Sequence, residues 1–178
     1  MTSAIADVRP DQSEYAAFFG NYIQLVPAGN ILELLDSQQA EISGLIATIT
    51  DDTANSVHPP FTWSIKQVVG HLIDCERVFG YRAARFAAGD DTPLPSFDEN
   101  LMVAEMDYQQ VPLPELIDEW RDLRRANLRF YQRLSPQHWE RRGDSAGNAL
   151  SVRAIGFILV GHTIHHLKII RQRLGKTR

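Results

Sequence analysis

Apolar residues recur at intervals of three and four positions in four long segments of the chain, which is the pattern of helices buried on one face. These segments span about residues 31–49, 64–88, 114–134 and 151–174. Ser64, with Gln67 three positions later, forms a capping box at the start of the second segment, and Ser151 can cap the fourth. Gly89 and Gly175 follow the ends of these two predicted helices.

The segments between the predicted helices carry almost no signal for strands. Residues 89–99 are too rich in proline and acidic residues for a regular element and predict a long loop after the second helix, and residues 144–150 predict another loop. Aromatic residues between Tyr15 and Tyr22 predict a short N-terminal helix. We therefore expect an all-α fold, a four-helix bundle in a single domain over residues 1–178, with its core at about residues 30–174.

Charge and composition narrow the classes of function. The 178 residues carry a formal net charge of -4, so no net positive field attracts nucleic acid or an anionic membrane. The longest apolar run, Ala154–Gly161, is much shorter than the roughly 20 residues of a transmembrane helix. The single cysteine, Cys75, cannot form an internal disulfide, and the first residues lack the apolar stretch of a signal peptide. We expect a cytoplasmic protein with no nucleic-acid or membrane partner.

Three of the six histidines, His162, His165 and His166, lie within five consecutive positions of the fourth predicted helix. At about 100° per residue, His162 and His166 point along the middle of its apolar stripe. Side chains one turn apart are about 5–6 Å from each other at Cβ, so both rings can bind one metal ion, and buried ring nitrogens need such a partner. His58 and His138 lie in turn contexts and are expected to face solvent.

A catalytic metal usually has three protein ligands and one open position. His71, at the border of the apolar face of the second predicted helix, is the predicted third ligand. The alternative is that His162 and His166 are hydrogen-bonded core residues and that His71 lies at the surface. His165 falls about 80° from the apolar stripe, so it is a boundary residue and a reserve ligand.

Cys75 and Glu76 lie close to His71 in the sequence. Cys75 is at the centre of the buried face and is interpreted as a packing residue, with metal ligation or a nucleophilic thiol as the alternatives. Glu76 is the candidate catalytic residue, as a general base or as the hydrogen-bond partner of a ligand imidazole. An ion pair of Glu76 with Arg77 or Arg82 fits the sequence equally well. The charged run at residues 121–125 is interpreted as the solvent face of the third helix.

Several short motifs are spread over about residues 22–173 of the chain. They are Leu25-Val26-Pro27, Trp63-Ser64-Ile65-Lys66, His71-Leu72-Ile73-Asp74, Thr92-Pro93-Leu94-Pro95, Phe97-Asp98-Glu99 and Gly161-His162-Thr163-Ile164-His165-His166. Together they resemble the DinB-like (YfiT-like) superfamily. The resemblance implies a four-helix bundle, often a homodimer, with one divalent metal on His71, His162 and His166. Many members continue with Arg-Gly-Gln after the last histidine, whereas this chain continues with Leu167-Lys168-Ile169.

The resemblance also implies a class of reaction, because characterised relatives include transferases and isomerases that use a thiol such as mycothiol or bacillithiol. We hypothesise a metal-dependent thiol S-transferase, whose partners are a small-molecule thiol and an electrophilic substrate. Zinc is the expected metal, and nickel, manganese and iron are alternatives for the same ligands. Two other functions remain open. One is a metal-dependent hydrolase with Glu76 or a loop carboxylate as base, and the other is a non-catalytic, stress-linked protein that binds a small ligand and holds a structural metal.

Overall fold

The computed structural model describes residues 4–175, and its four longest helices form the predicted bundle. The α-helices are α1 (Gly20–Ile23), α2 (Ile31–Ile46), α3 (Asp51–Asn55), α4 (Ile65–Ala87), α5 (Glu99–Glu105), α6 (Leu113–Gln132), α7 (Pro136–Glu140) and α8 (Val152–Arg173). Short 3₁₀ helices lie at Ala4–Asp7, Gln12–Glu14, Ala17–Phe19 and Tyr108–Gln110. Helices α4 and α2 each pack against both α6 and α8. The prediction of a four-helix bundle with a short N-terminal helix and a long loop after the second long helix is confirmed.

The predicted N-caps fix where two of the long helices begin. Ser64 accepts a hydrogen bond from the Gln67 backbone N–H at 3.2 Å, and the Gln67 side chain accepts one from the Ser64 backbone N–H at 2.9 Å. Ser151 accepts a bond from the Ala154 backbone N–H at 2.9 Å. These bonds satisfy backbone donors that have no partner inside the helix. Because α4 and α8 carry the candidate ligands, the residue at which each helix begins also sets the position of those ligands along the helix.

The predicted loop at residues 144–150 is in fact a β-hairpin, formed by β1 (Arg142–Ser145) and β2 (Asn148–Ser151). Ala146 and Gly147 form its two-residue turn with φ of 54° and 78°, the left-handed backbone that such turns require. A Cβ placed on Gly143 would lie 2.0 Å from the Phe86 ring, so β1 is packed directly against the C-terminal part of α4. The hairpin therefore forms a wall beside that end of α4.

Two apolar clusters fill the bundle, and a layer of buried polar side chains separates them. One cluster includes Leu35, Phe79 and Ile158, and the other includes Trp120 and Leu167. On each long helix the buried residues change from one cluster to the other at polar positions. These positions are Gln38 on α2, His71, Asp74 and Glu76 on α4, Arg124 on α6, and His162, Thr163 and His166 on α8. The candidate ligands are thus part of a polar layer that crosses all four helices.

The N-terminal segment covers α8 through a very close backbone contact. A Cβ placed on Gly161 would lie 2.1 Å from the Tyr22 carbonyl oxygen at the end of α1. Among residues 4–175, none of the helices has both the length and the apolar character required to span a lipid bilayer.

Gly161→Ala is expected to destabilise the protein by about 1–3 kcal/mol, because the added methyl group must push α1 away from α8. Gly44→Ala is the matched control, since a Cβ at this position in α2 meets no atom within 4 Å. The control is expected to stabilise the protein by roughly 0.5–1 kcal/mol through better helix propensity. Urea denaturation measures both changes in the free energy of unfolding. Equal effects of the two substitutions would contradict the close contact.

Candidate metal centre

His71 on α4 and His162 and His166 on α8 meet inside the bundle. The Nε2 atom of His162 lies 2.9 Å from Nε2 of His71 and 3.0 Å from Nε2 of His166. One ligand atom from each ring can be chosen so that all three lie within 4.8 Å of one another. Among the described residues, this is the one such group of three or more histidine, cysteine or acidic side chains. The structure therefore brings together the three residues that were predicted as ligands.

Burial keeps these imidazoles neutral. The exposed fractions of His71, His162 and His166 are 7%, 5% and 7%. Burial lowers the pKa of His71 to about 4. Burial, together with the neighbouring histidines, holds the pKa values of His162 and His166 well below the ordinary value. A neutral ring offers a lone pair, which is the form that binds a metal.

The hydrogen-bonding capacity of three neutral rings does not account for their arrangement. A neutral imidazole nitrogen carries either one proton or one lone pair. Nε2 of His162 faces the Nε2 atoms of both neighbours, so its single proton can serve only one of them. In addition, Nδ1 of His166 is buried and has no partner among the described residues. A cation that accepts three lone pairs satisfies the converging atoms, and three imidazoles are a donor set that suits zinc, nickel or iron.

Aromatic rings pack against the three-histidine cluster formed by His71, His162 and His166. The Trp63 ring centroid lies 5.1 Å from that of His71, and the Tyr22 centroid lies 5.1 Å from that of His162. His165 is half-buried, and its centroid is 5.4 Å from Tyr22 and 5.0 Å from His166. His165 is thus a boundary residue beside the cluster, as its position on the helix indicates.

A cavity of about 330 Å³ opens onto the three histidines. Several of its lining residues are aromatic, and one continuous face of α4 follows it. The residues of that face are His71, Cys75, Phe79 and Arg82. Phe97 from the long loop and Ser145 from the hairpin line it as well. Glu99, which is exposed, is the one carboxylate among its lining residues. An organic molecule of moderate size can therefore reach the candidate metal centre.

Cys75 is a buried, protonated thiol next to the cluster. Its Sγ atom lies 3.7 Å from Nε2 of His71, its exposed fraction is 3%, and burial raises its pKa well above the ordinary value. A thiol in such surroundings behaves as a small apolar side chain.

Cys75→Ala is expected to leave the metal content unchanged, because three imidazoles already supply the ligands. Metal analysis of both proteins, prepared without a histidine tag, measures the content. Loss of the ion from Cys75→Ala would make the thiol a fourth ligand.

The predicted roles of Glu76 are corrected by its position. Glu76 follows His71 by five positions, which turns it by about 140° around α4. It does not line the cavity, and its Oε1 accepts a bond from Nε of Arg124 at 2.8 Å, while its Oε2 accepts one from Asn127 at 2.7 Å. Both oxygens are bound away from the imidazoles, so Glu76 pairs with Arg124 rather than with Arg77, Arg82 or a ligand imidazole. This position gives no support to a role of Glu76 as general base.

Arg124 also differs from its prediction, because it is fully buried although residues 121–125 were interpreted as a solvent face. His58 and His138 were predicted to face solvent, and both are half-buried in the structure. Nδ1 of His138 lies 2.9 Å from the Ser135 hydroxyl oxygen at the start of α7. Neither histidine belongs to the cluster.

Comparison with known proteins supports the fold. A family model described as the DinB superfamily matches residues 34–170. The solved structure of YfiT from Bacillus subtilis aligns with a TM-score of 0.72 and 18% sequence identity, covering 98% of this chain and 97% of that one. YfiT is described as a probable metal-dependent hydrolase with an unusual four-helix bundle topology. At this identity the likeness shows the fold alone. No curated protein matches the chain at a significant level.

Proposed function

Because the chain belongs to the DinB superfamily, we propose that it is a metal-dependent enzyme that transfers a small thiol to an electrophilic substrate. His71, His162 and His166 would hold one divalent cation, with zinc as the first candidate. The observation that carries the proposal is that three neutral imidazoles converge on one point at the base of a cavity large enough for an organic ligand.

The number of converging donors favours a catalytic ion over a structural one. Structural zinc sites fill all four positions with protein donors, whereas catalytic sites use three and leave one position open. Within residues 4–175, the group of mutually close ligand atoms contains the three histidines alone. All three also line the cavity, so an open position would face a ligand in that cavity. This arrangement weighs against the non-catalytic alternative.

The walls of the cavity favour a thiol as the nucleophile. A bound metal ion lowers the pKa of a coordinated thiol enough to yield a thiolate without a separate base. This matches the described residues, in which no buried carboxylate lines the cavity and Glu76 is engaged by Arg124. Phe19 and Phe79 present apolar surface that can hold the organic part of the thiol and exclude water.

A hydrolase is the second candidate, and Glu99 is the observation that favours it. Glu99 lines the cavity and its charge acts on His71, where it opposes the effect of burial on the pKa. A carboxylate at this place could remove a proton from an attacking water. The description of YfiT as a probable metal-dependent hydrolase agrees with this alternative.

Cobalt substitution separates the two reactions. Glutathione, mycothiol and bacillithiol are titrated into cobalt-loaded protein, and a thiolate-to-cobalt absorption band with one of them is expected. The same thiol should then react with 1-chloro-2,4-dinitrobenzene in a chelator-sensitive way, and Glu99→Gln should retain most of this activity. Absence of a band with all three thiols would contradict the transferase. Chelator-sensitive hydrolysis of a p-nitrophenyl ester that falls by about 100-fold or more in Glu99→Gln would establish the hydrolase instead.

A further inference from the structure

Arg82 is a buried cation that lines the cavity without a carboxylate partner among the described residues. Its exposed fraction is 5%. Its Nη2 atom donates a hydrogen bond to the Pro95 carbonyl oxygen at 2.9 Å, and the guanidinium carbon lies 5.4 Å from the Phe79 ring centroid and 5.7 Å from that of Phe97. Nε and Nη1 have no acceptor in the described chain, and neither is among its buried atoms without a partner. These donors therefore keep some accessible surface, and Arg82 is a lining residue of the cavity.

The other two buried cations show that this arrangement is unusual within the molecule. Lys66 donates to Asp51 at 2.8 Å, and Arg124 pairs with Glu76. A buried charge without an opposite charge is costly, and aromatic faces compensate only part of that cost. Glu99 does not supply the missing charge, because its electrostatic effects fall on Tyr22, His71 and Cys75 and not on Arg82.

Helix geometry places Arg82 and the histidines at opposite ends of the cavity. Arg82 follows His71 by eleven positions, which is about 16 Å along α4 and a rotation of only about 20°. Cys75 and Phe79 lie between them on the same face. The hairpin packs beside the C-terminal part of α4, and its Ser145 lines the same cavity.

We propose that Arg82 binds the carboxylate of an elongated substrate with an apolar middle, whose opposite end reaches the three histidines. One guanidinium matches the single charge of a carboxylate and can bind it through charge-assisted hydrogen bonds from its free N–H groups. A phosphate would call for further cations, and Arg82 is the one lysine or arginine among the described lining residues. The identity of the reacting end rests on the proposed function, whereas binding of the carboxylate at Arg82 does not.

The fluorescence of Trp63 reports ligand binding in the test of this proposal, because Trp63 lines the cavity while the other two tryptophans are fully buried. The probes are 4-phenylbutyrate and 4-phenylbutanamide, which share a shape and differ in charge. Both are titrated into the wild-type protein and into Arg82→Met and Arg82→Lys, with and without prior dialysis against a chelator. Arg77→Met is the control, since Arg77 lies on the same helix but is exposed and pairs with the carboxylates of Asp74 and Glu119.

We expect the wild-type protein to bind the carboxylate about 10- to 100-fold more tightly than the amide, with or without metal. Arg82→Met should abolish this preference and leave the affinity for the amide unchanged, and Arg77→Met should keep it. Arg82→Lys should reduce the preference severalfold, which provides a readout if Arg82→Met does not fold.

Three results would overturn the proposal. One is equal affinity of the wild-type protein for both probes, and another is an equal loss of affinity for both probes in an Arg82→Met protein that is shown by circular dichroism to be folded. The third is a preference that survives Arg82→Met but disappears on chelation, since the carboxylate would then bind the metal. By contrast, an Arg82-dependent preference in a protein that binds no metal would support the carboxylate site while refuting the metal-dependent reaction.

Discussion

His162→Ala is expected to weaken metal binding by more than about 100-fold, so that the purified variant carries almost no ion. Loss of a residue that only orients a ligand already costs 10- to 100-fold in affinity, and loss of a direct ligand should cost more. His162 is the central member of the cluster, because its Nε2 lies within 3.0 Å of both other Nε2 atoms. Mass-spectrometric metal analysis, with protein made without a histidine tag, measures the content, and about one ion per chain is expected before substitution.

His165→Ala is the matched control for this prediction. His165 lies on the same turn of α8, contacts His166 and Tyr22, and is only half-buried. Its substitution should leave the metal content near that of the unsubstituted protein. Thermal denaturation in the presence of chelator shows whether each variant folds. A folded His162→Ala protein that keeps its ion, or loss of the ion from His165→Ala alone, would show that the ligands have been assigned wrongly.

Arg124→Met is expected to destabilise the protein by about 3–5 kcal/mol, because it leaves the Glu76 carboxylate buried without its cation. Arg124 has no exposed surface, and besides Glu76 it donates to Gln38 at 2.8 Å and to the Thr163 hydroxyl at 2.9 Å. One guanidinium thus connects α2, α4, α6 and α8. Urea denaturation followed by far-ultraviolet circular dichroism measures the change in the free energy of unfolding.

Two further variants isolate the buried pair. Arg125→Met removes a neighbouring arginine whose ion pair with Asp122 is exposed, so it should cost no more than about 1 kcal/mol. The double variant Glu76→Leu/Arg124→Met removes both charges and should recover much of the lost stability. A cost of less than about 1 kcal/mol for Arg124→Met would contradict the role of the pair, as would a double variant that is less stable than either single variant.

Much of the fold could be predicted from local patterns in the sequence. The caps at Ser64 and Ser151 depend on neighbouring residues alone, and both are present in the structure. The convergence of His162 with His166 follows from their spacing on one helix. Placing His71 beside them required only that the apolar faces of two helices meet, and the structure brings the rings together. That they bind a metal, and that the chain forms a homodimer, stay predictions.

The features that the sequence did not predict depend mostly on contacts between residues far apart in the sequence. Glu76 and Arg124 are separated by 48 positions, and each looks like an ordinary charged surface residue among its neighbours. Arg82 likewise resembles a helix-surface arginine until the loop carrying Pro95 is folded over it. The hairpin at residues 142–151 was missed because its strands are short and contain no β-branched residue, so the pattern of a loop prevailed.

The presence of His71 and Arg82 on the same helix has a consequence for how such a bundle can change its ligand. The distance between these two side chains along α4 is set by the number of residues between them, because an α-helix rises 1.5 Å per residue. Inserting one residue between them would rotate one side chain by about 100° around the helix, away from the cavity. Insertions or deletions in α4 can therefore fit a longer or shorter ligand only when they add or remove three or four residues. The long loop and the hairpin are not restricted by a helical period, and their sequences can be varied to suit the width and shape of the ligand.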